Sequence, residues 1–217
     1  MTRVLVTGAA GFIGSHLVEG LVARGDDVIG IDNFDPFYDR AMKETNLRDA
    51  GADRFRFHET DILDCDRVAG LLTPDTVVVH LAAKAGVRPS IADPAGYARA
   101  NVEGTAAVLE AARRAGVARI VFGSSSSVYG DTTPAPFRED APAVDPVSPY
   151  AATKRAGELL VRSAASLNGF KAVSLRFFTV YGPRQRPDLA IHAFARRMAD
   201  GRPLILFGDG TQARDYT

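Results

Sequence analysis

The sequence predicts an α/β fold built on a doubly wound, parallel sheet. Three observations carry that expectation: short apolar runs without alternation, helical patterns between them, and a glycine cluster directly after the first run. Strands covered on both faces read as continuous apolar stretches, whereas half-exposed strands alternate. Such runs occupy 3–7, 27–32, 76–81, 119–123 and 172–176, with a further strand at 54–57. Helical patterns fill 12–24, 94–115 and 150–166, with a shorter one at 64–72. Strand and helix alternate throughout, the order of a sheet covered by helices on both sides.

The first run opens into Gly8-Ala-Ala-Gly11-Phe12-Ile13-Gly14. Glycines between a strand and a helix allow a tight turn and a close approach of backbone to pyrophosphate, which then meets the free amides of the helix N-terminus. The GxxGxxG spacing departs from GxGxxG, and alone it is equally a tight turn without a ligand. Its position at the first crossing and Asp32 at the end of the second run decide for a dinucleotide, because a carboxylate there accepts from a ribose hydroxyl. Asp32 is followed by Asn33-Phe34-Asp35 with no nearby arginine, which disfavours a 2′-phosphate and favours NAD over NADP.

After the third run, Asp61 and Ile62 stand where adenine is flanked, although Asp61 reads equally well as a helix N-cap. After the fourth, the small residues of Leu81-Ala82-Ala83-Lys84 let a cofactor approach the backbone. His80 reads as a satisfied core histidine. Asn101 is a candidate near the nicotinamide, against the commoner role of a helix-surface asparagine. The fifth run leads into four serines, Ser124 to Ser127, and Phe177, directly after the sixth, is a further candidate contact for the cofactor. The proline-rich stretch 133–149 excludes regular helix and central strand, so it predicts a long loop. From 181 onward the character changes, with one helix at 189–199 and a strand-like 204–207. Residues 1–180 therefore read as a dinucleotide-binding domain and 181–217 as the start of a second region.

Tyr150 and Lys154 carry the chemistry. Tyrosine, with a pKa of about 10, is a weak base at neutral pH, but i to i+4 spacing places both side chains on one helix face. One cation at about 4 Å supplies roughly the 4 kcal/mol needed to bring the phenol to about 7. The pair is then a general base and its tuner. An isolated YxxxK is more often a coincidence on a surface helix, so the surroundings must decide.

Composition sets the outer limits. Lys plus Arg and Asp plus Glu number 26 each, so no polyanion, nucleic acid or anionic membrane is expected as the main partner. The single cysteine, Cys65, excludes an internal disulfide framework and reads as an apolar filler in a reducing compartment. No apolar stretch reaches about 18 residues, and the chain opens without a leader pattern, which predicts a cytoplasmic protein.

With GAAGFIG, Asp32, the serines before Val128-Tyr129-Gly130, and Tyr150-Ala-Ala-Thr-Lys154 together, the chain resembles the extended short-chain dehydrogenase/reductase family, which has a Rossmann-type fold. Residues 84–91 and 176–188 are most similar to the UDP-glucuronate 4-epimerases within it. The resemblance implies that Tyr150 is the base, that Ser125 bridges it to the sugar 4-hydroxyl, and that Lys154 holds the nicotinamide ribose and depresses the tyrosine pKa. It implies NAD as a retained cofactor, a UDP-sugar as substrate, and pairing of two copies through the long helices. Related dehydratases carry an Asp-Glu pair where this chain has Ser126 and Ser127, and related decarboxylases a glutamate at the second position. Hydroxyls cannot replace those carboxylates, which favours epimerisation. Arg88 and Arg186 are expected to grip a uronate carboxylate, Thr179 to contact sugar or diphosphate, and Arg214 to bind the diphosphate. Arg184, Arg196 and Arg197 read as solvated surface charges. Family members continue for roughly another hundred residues beyond Arg214, the length of a further small domain. The alternatives are a UDP-glucose or UDP-N-acetylglucosamine 4-epimerase and, in a different class, a non-catalytic NAD-binding protein.

Overall fold

The computed structural model describes residues 1–48, 53–206, 208–210, 213 and 215–217. Six strands, β1 (Arg3–Thr7), β2 (Asp27–Asp32), β3 (Phe55–Glu59), β4 (Val77–His80), β5 (Arg119–Ser125) and β6 (Lys171–Phe177), form one sheet in the order β3-β2-β1-β4-β5-β6. Every pair is parallel; Val6 faces Gly30 on one side and Val79 on the other, and Ser125 faces Phe177. The strand order reverses between β1 and β4. In such sheets the crevice beyond the carboxyl ends of those two strands receives ligands.

Each central strand is buried on both faces, as its unbroken apolar run requires. Val4, Val6 and Val28 pack against Val18 and Leu21 of α1 (Phe12–Ala23) on one side. Leu5, Ile29, Val78, Ile120 and Phe122 pack on the other. They meet α3 (Cys65–Gly70), α6 (Gly104–Arg114) and α7 (Pro149–Asn168), and the half-buried Cys65 fills the margin of that layer. At the start of α7, the Ser148 side chain accepts from the Ala151 amide and Pro149 occupies the first helical turn. Gly169, left-handed at φ 73°, ends the helix.

The structure departs from expectation at four places. The helix expected over 94–115 is divided into α5 (Pro94–Ala98), a π turn (Arg99–Glu103) and α6. The wider turn carries Asn101 into the protein, where it is 2% exposed. α2 (Arg40–Arg48) has no apolar stripe, since its buried residues are Lys43 and Asn46, so periodicity could not reveal it. A short α4 (Val87–Ala92) was also hidden in a loop-like stretch. Leu204 to Leu206 form no strand and stand 42%, 48% and 67% exposed, because among the described residues no strand pairs with them. Phe207 lies outside the described residues. α8 (Ala190–Ala199) forms as expected, with Arg196 exposed and Arg197 half-buried. No helix among the described residues is long and apolar enough to cross a membrane.

Candidate active site

A cavity of about 840 Å³ opens beyond the carboxyl ends of β1 and β4. At its base the chain turns at Gly8 and enters α1. Gly8 adopts φ 71°, and a Cβ there would stand 2.9 Å from the Ala82 nitrogen; at Gly14 it would stand 2.1 Å from the Gly8 carbonyl oxygen. Only glycines let this turn close while leaving the amides at the start of α1 open to the cavity, which Gly11, Phe12 and Ile13 line. The Asn46 amide, missed by the sequence reading, donates to the Ala10 carbonyl at 2.9 Å and braces the turn.

Asp32 lines the same cavity. Its carboxylate accepts from the amides of Phe34 at 2.8 Å and Ala10 at 3.3 Å. Burial raises its pKa, opposed by the Lys43 charge and by those amides. Lys43 also lines the cavity and donates to the Asp35 carbonyl at 2.7 Å. Sequence spacing gave no sign of this cation, because only the fold of α2 brings it to Asp32. Asn33 donates to Asp61 at 2.8 Å, which ties the loops after β2 and β3 into one wall that Ile62 extends. Asp61 is not the helix cap: Asp64 caps α3 by accepting from the Arg67 amide. Residues Leu81 to Lys84 form the opposite wall.

His80 lies under that wall, 2% exposed. The Thr7 hydroxyl oxygen already accepts from the Leu81 and Ala82 amides, so its proton goes to His80 Nδ1 at 2.7 Å. Nε2–H then donates to Thr105, whose hydroxyl donates to the Asn101 carbonyl. Burial, and secondarily the Lys154 charge, lower this histidine to about 3, so it is neutral and structural. Asn101 does not line the cavity. Its side chain accepts from the Lys84 amide and donates to the Lys84 carbonyl and to Thr153, tying the wall after β4 to α7. It is therefore neither a surface residue nor a direct cavity contact.

The catalytic candidates meet at the other end. Ser125, Ser126, Ser127, Tyr150, Lys154, Phe177, Thr179 and Arg186 all line the cavity. Ser125 donates to the Ser127 hydroxyl at 3.1 Å and accepts from the Ser127 amide at 3.2 Å. Tyr97 packs edge-on against Tyr150, with centroids 6.3 Å apart. The expected electrostatics need correction here. Burial raises the Tyr150 pKa, while the Ser125 hydrogen bond and the Arg186 charge pull it down without prevailing. Lys154 does not lower it in this state. Its ammonium donates to the Gly123 carbonyl at 2.7 Å, and burial depresses its own pKa to about 8.

A buried carboxylate also lies close by. Glu158, 6% exposed, accepts from Ser124 at 2.6 Å and is held by Arg176 and Arg155 at 2.9 Å and 2.8 Å. Burial pushes its pKa up, but the hydrogen bonds from Arg176, Ser124 and Arg155 outweigh that and keep it ionised. Locked in this way and absent from the cavity lining, it is no acid or base for a bound substrate.

The arginines divide. Arg186 reaches the cavity, but Asp188 engages it through two hydrogen bonds of 3.0 Å and 2.9 Å. Arg88 sits exposed on α4 and does not line the cavity. Arg184 is not solvated; its side chain is 19% exposed and pairs with Glu19. Arg214 lies outside the described residues.

Comparison with known proteins agrees with this arrangement. The NAD dependent epimerase/dehydratase family matches residues 4–217. A UDP-glucuronate 4-epimerase of Thermodesulfobacterium geofontis is 41% identical, over 100% of this chain and 68% of its own length. UDP-glucuronate 4-epimerase 3 of Arabidopsis thaliana is 43% identical, over 99% of this chain and 51% of its own. The crystal structure of the UDP-glucuronic acid 4-epimerase from Bacillus cereus with UDP-glucuronic acid and NAD superposes with a TM-score of 0.93 at 42% identity, over 100% of this chain and 69% of that one. The chain thus spans between half and about two thirds of the length of these relatives. A glycine turn that no side chain could enter, an aspartate at the end of β2, and a Ser-Tyr-Lys group facing one cavity accompany that match, and the chain belongs to the NAD dependent epimerase/dehydratase family.

Proposed function

We propose that this protein interconverts UDP-glucuronate and UDP-galacturonate by transient oxidation at C4 of the sugar. The observation that carries the reading is the side-chain set around Tyr150: Ser125, Ser126 and Ser127 line the cavity with it, and the buried carboxylate of Glu158 is locked by two arginines. That end of the cavity moves a proton at a carbinol oxygen, and among the described residues Ser126 and Ser127 beside Tyr150 offer hydroxyls rather than the carboxylate acid and base that elimination of water needs.

NAD, when bound, supplies the acceptor and later the donor of the C4 hydride. Gly8, Gly11, Phe12, Ile13 and Gly14 hold its pyrophosphate at the start of α1, and Asp32 with Lys43 takes the adenosine ribose. Tyr150 removes the proton of the sugar 4-hydroxyl through Ser125 and returns it after the sugar has turned over. Lys154 commits one of its three donors to Gly123 and keeps two for the nicotinamide ribose. Bringing the phenol into a working range depends on cations around it, because burial alone holds it protonated.

For the sugar, the hydroxyls of Ser126, Ser127 and Thr179 and the guanidinium of Arg186 form the polar end of the cavity. A uronate carboxylate competes with Asp188 for Arg186, so recognition includes displacement or sharing of that partner. Residues 1–180 serve as the dinucleotide domain and 181–217 as the beginning of the sugar-nucleotide region. Leu159 and Leu167, 51% and 81% exposed on α7, support pairing of two copies through that helix, and the lone cysteine supports a cytoplasmic enzyme.

Incubation of the protein and NAD with UDP-glucuronate, followed by proton NMR, tests the reading. Appearance of UDP-galacturonate is expected. No conversion of any UDP-uronate or UDP-hexose by NAD-bound protein would overturn it.

A further inference from the structure

α1 does more than present its N-terminus to the cavity. One turn beyond Phe12, His16 packs edge-on against the Phe12 ring, with centroids 5.8 Å apart, and Phe12 lines the cavity. His16 Nε2–H donates to the Pro183 carbonyl at 3.0 Å. Glu19, on the same helix face, accepts from the Arg184 guanidinium. Arg184 itself is held at φ 64°, a conformation disfavoured for a residue with a side chain and maintained only where neighbouring contacts over-determine it.

The segment gripped in this way is stiff. Gln185, 3% exposed, donates through Nε2 to the Val180 carbonyl at 3.1 Å and accepts through Oε1 from the His192 amide at 3.1 Å. Its backbone carbonyl meets His192 Nδ1 at 2.8 Å, and its amide donates to the Gly182 carbonyl. A shift imposed at Arg184 therefore passes along the arm without being absorbed. The next residue is Arg186, which faces the cavity with its guanidinium 5.4 Å above the Phe37 ring.

We propose that the His16–Glu19 face of α1 is a clamp on Pro183 and Arg184 that sets Arg186 over the sugar end of the cavity, joining the dinucleotide seat to the sugar-nucleotide arm. Glu19 and Arg184 are positioning residues in this scheme, and neither lines the cavity. The inference rests on the reading of the cavity as a UDP-sugar site.

The test uses Glu19→Gln and the charge-swapped pair Glu19→Arg with Arg184→Glu, with two readouts. Calorimetry is expected to show Glu19→Gln weakening UDP-glucuronate about tenfold while NAD affinity stays within about twofold, with the swapped pair recovering most of the loss. Hydrogen exchange is expected to speed up in Glu19→Gln at the Gln185 and Leu189 amides, which donate to Gly182 and Arg186 carbonyls. Unchanged exchange, or UDP-glucuronate affinity equal to that of the unsubstituted protein, overturns the clamp. Parallel loss of NAD and UDP-glucuronate affinity also overturns it, since that marks general destabilisation of α1. Should the unsubstituted protein bind no UDP-glucuronate, the functional reading fails by itself, and the exchange readout alone decides the clamp.

Discussion

Lys154 donates to the Gly123 carbonyl at 2.7 Å, one helical turn beyond Tyr150, and the whole residue is only 4% exposed. Its cost and its use come from the same burial. An ammonium enclosed among apolar atoms with one carbonyl partner is held poorly, which lowers its pKa from its ordinary value near 10.5 to about 8.

That burial predicts a pH dependence of stability. Between about pH 8 and 10.5 the unfolded chain keeps the Lys154 proton and the folded chain has released it, so stability from this group rises with pH across that window. Thermal unfolding of the NAD-free protein from pH 7 to 10 is expected to show a component of this slope that Lys154→Met lacks. Equal slopes in the two proteins would contradict the assignment.

Tyr150 depends on Ser125, the larger of the two influences that lower its pKa. Ser125→Ala is expected to reduce kcat by about 10²-fold and to move the acidic limb of kcat/KM to higher pH. A pH–rate profile reads both. An unshifted limb would leave Ser125 as a substrate contact only.

His80 predicts a pH dependence of the same sign as that of Lys154, in a more acidic window. Its folded pKa, about 3, lies below the ordinary 6.5, so the stability it contributes is complete above 6.5 and is lost as pH falls toward 3. In His80→Gln, the loss of stability between pH 7 and 4 is expected to be smaller than in the unsubstituted protein, as measured by denaturant unfolding. A difference that grows on acidification would refute the neutral histidine.

Arg186 and Arg88 separate substrate recognition. Arg186→Ala is expected to raise KM for UDP-glucuronate about tenfold more than KM for UDP-glucose, because a carboxylate gains more than a neutral group from a guanidinium. Arg88→Ala, outside the cavity lining, is expected to change either value by no more than about twofold. Steady-state kinetics on both sugars decides; equal losses on the two sugars from Arg186→Ala would remove carboxylate recognition from its role.

Much of this was legible in the residues. The runs around Val4, Val28, Val78 and Ile120 specify buried parallel strands, because no half-exposed strand tolerates them, and Gly8 to Gly14 marks the turn where its geometry demands glycine. What escaped depends on contacts between distant segments. Lys43 and Asn46 face inward from a helix with no apolar stripe, and Arg184 finds Glu19 from 165 positions away. The π turn at Asn101 interrupts a sequence with good helical character throughout, because the side chain is needed by Lys84 and Thr153. The Tyr150 pKa ran against expectation because burial of the phenol raises it, and because i to i+4 spacing fixes a shared helix face but not the direction of the lysine, which Gly123 claims.

In the proposed reaction a hydride leaves C4 of the sugar and returns to the same carbon, with Tyr150 and Ser125 handling the proton. UDP-glucuronate deuterated at C4, incubated with the protein and NAD in ordinary water, tests this most directly by NMR and mass spectrometry of the product. UDP-galacturonate with deuterium retained at C4 and no net reduction of the cofactor is expected. Product with solvent hydrogen at C4, or with water or carbon dioxide lost, would contradict it.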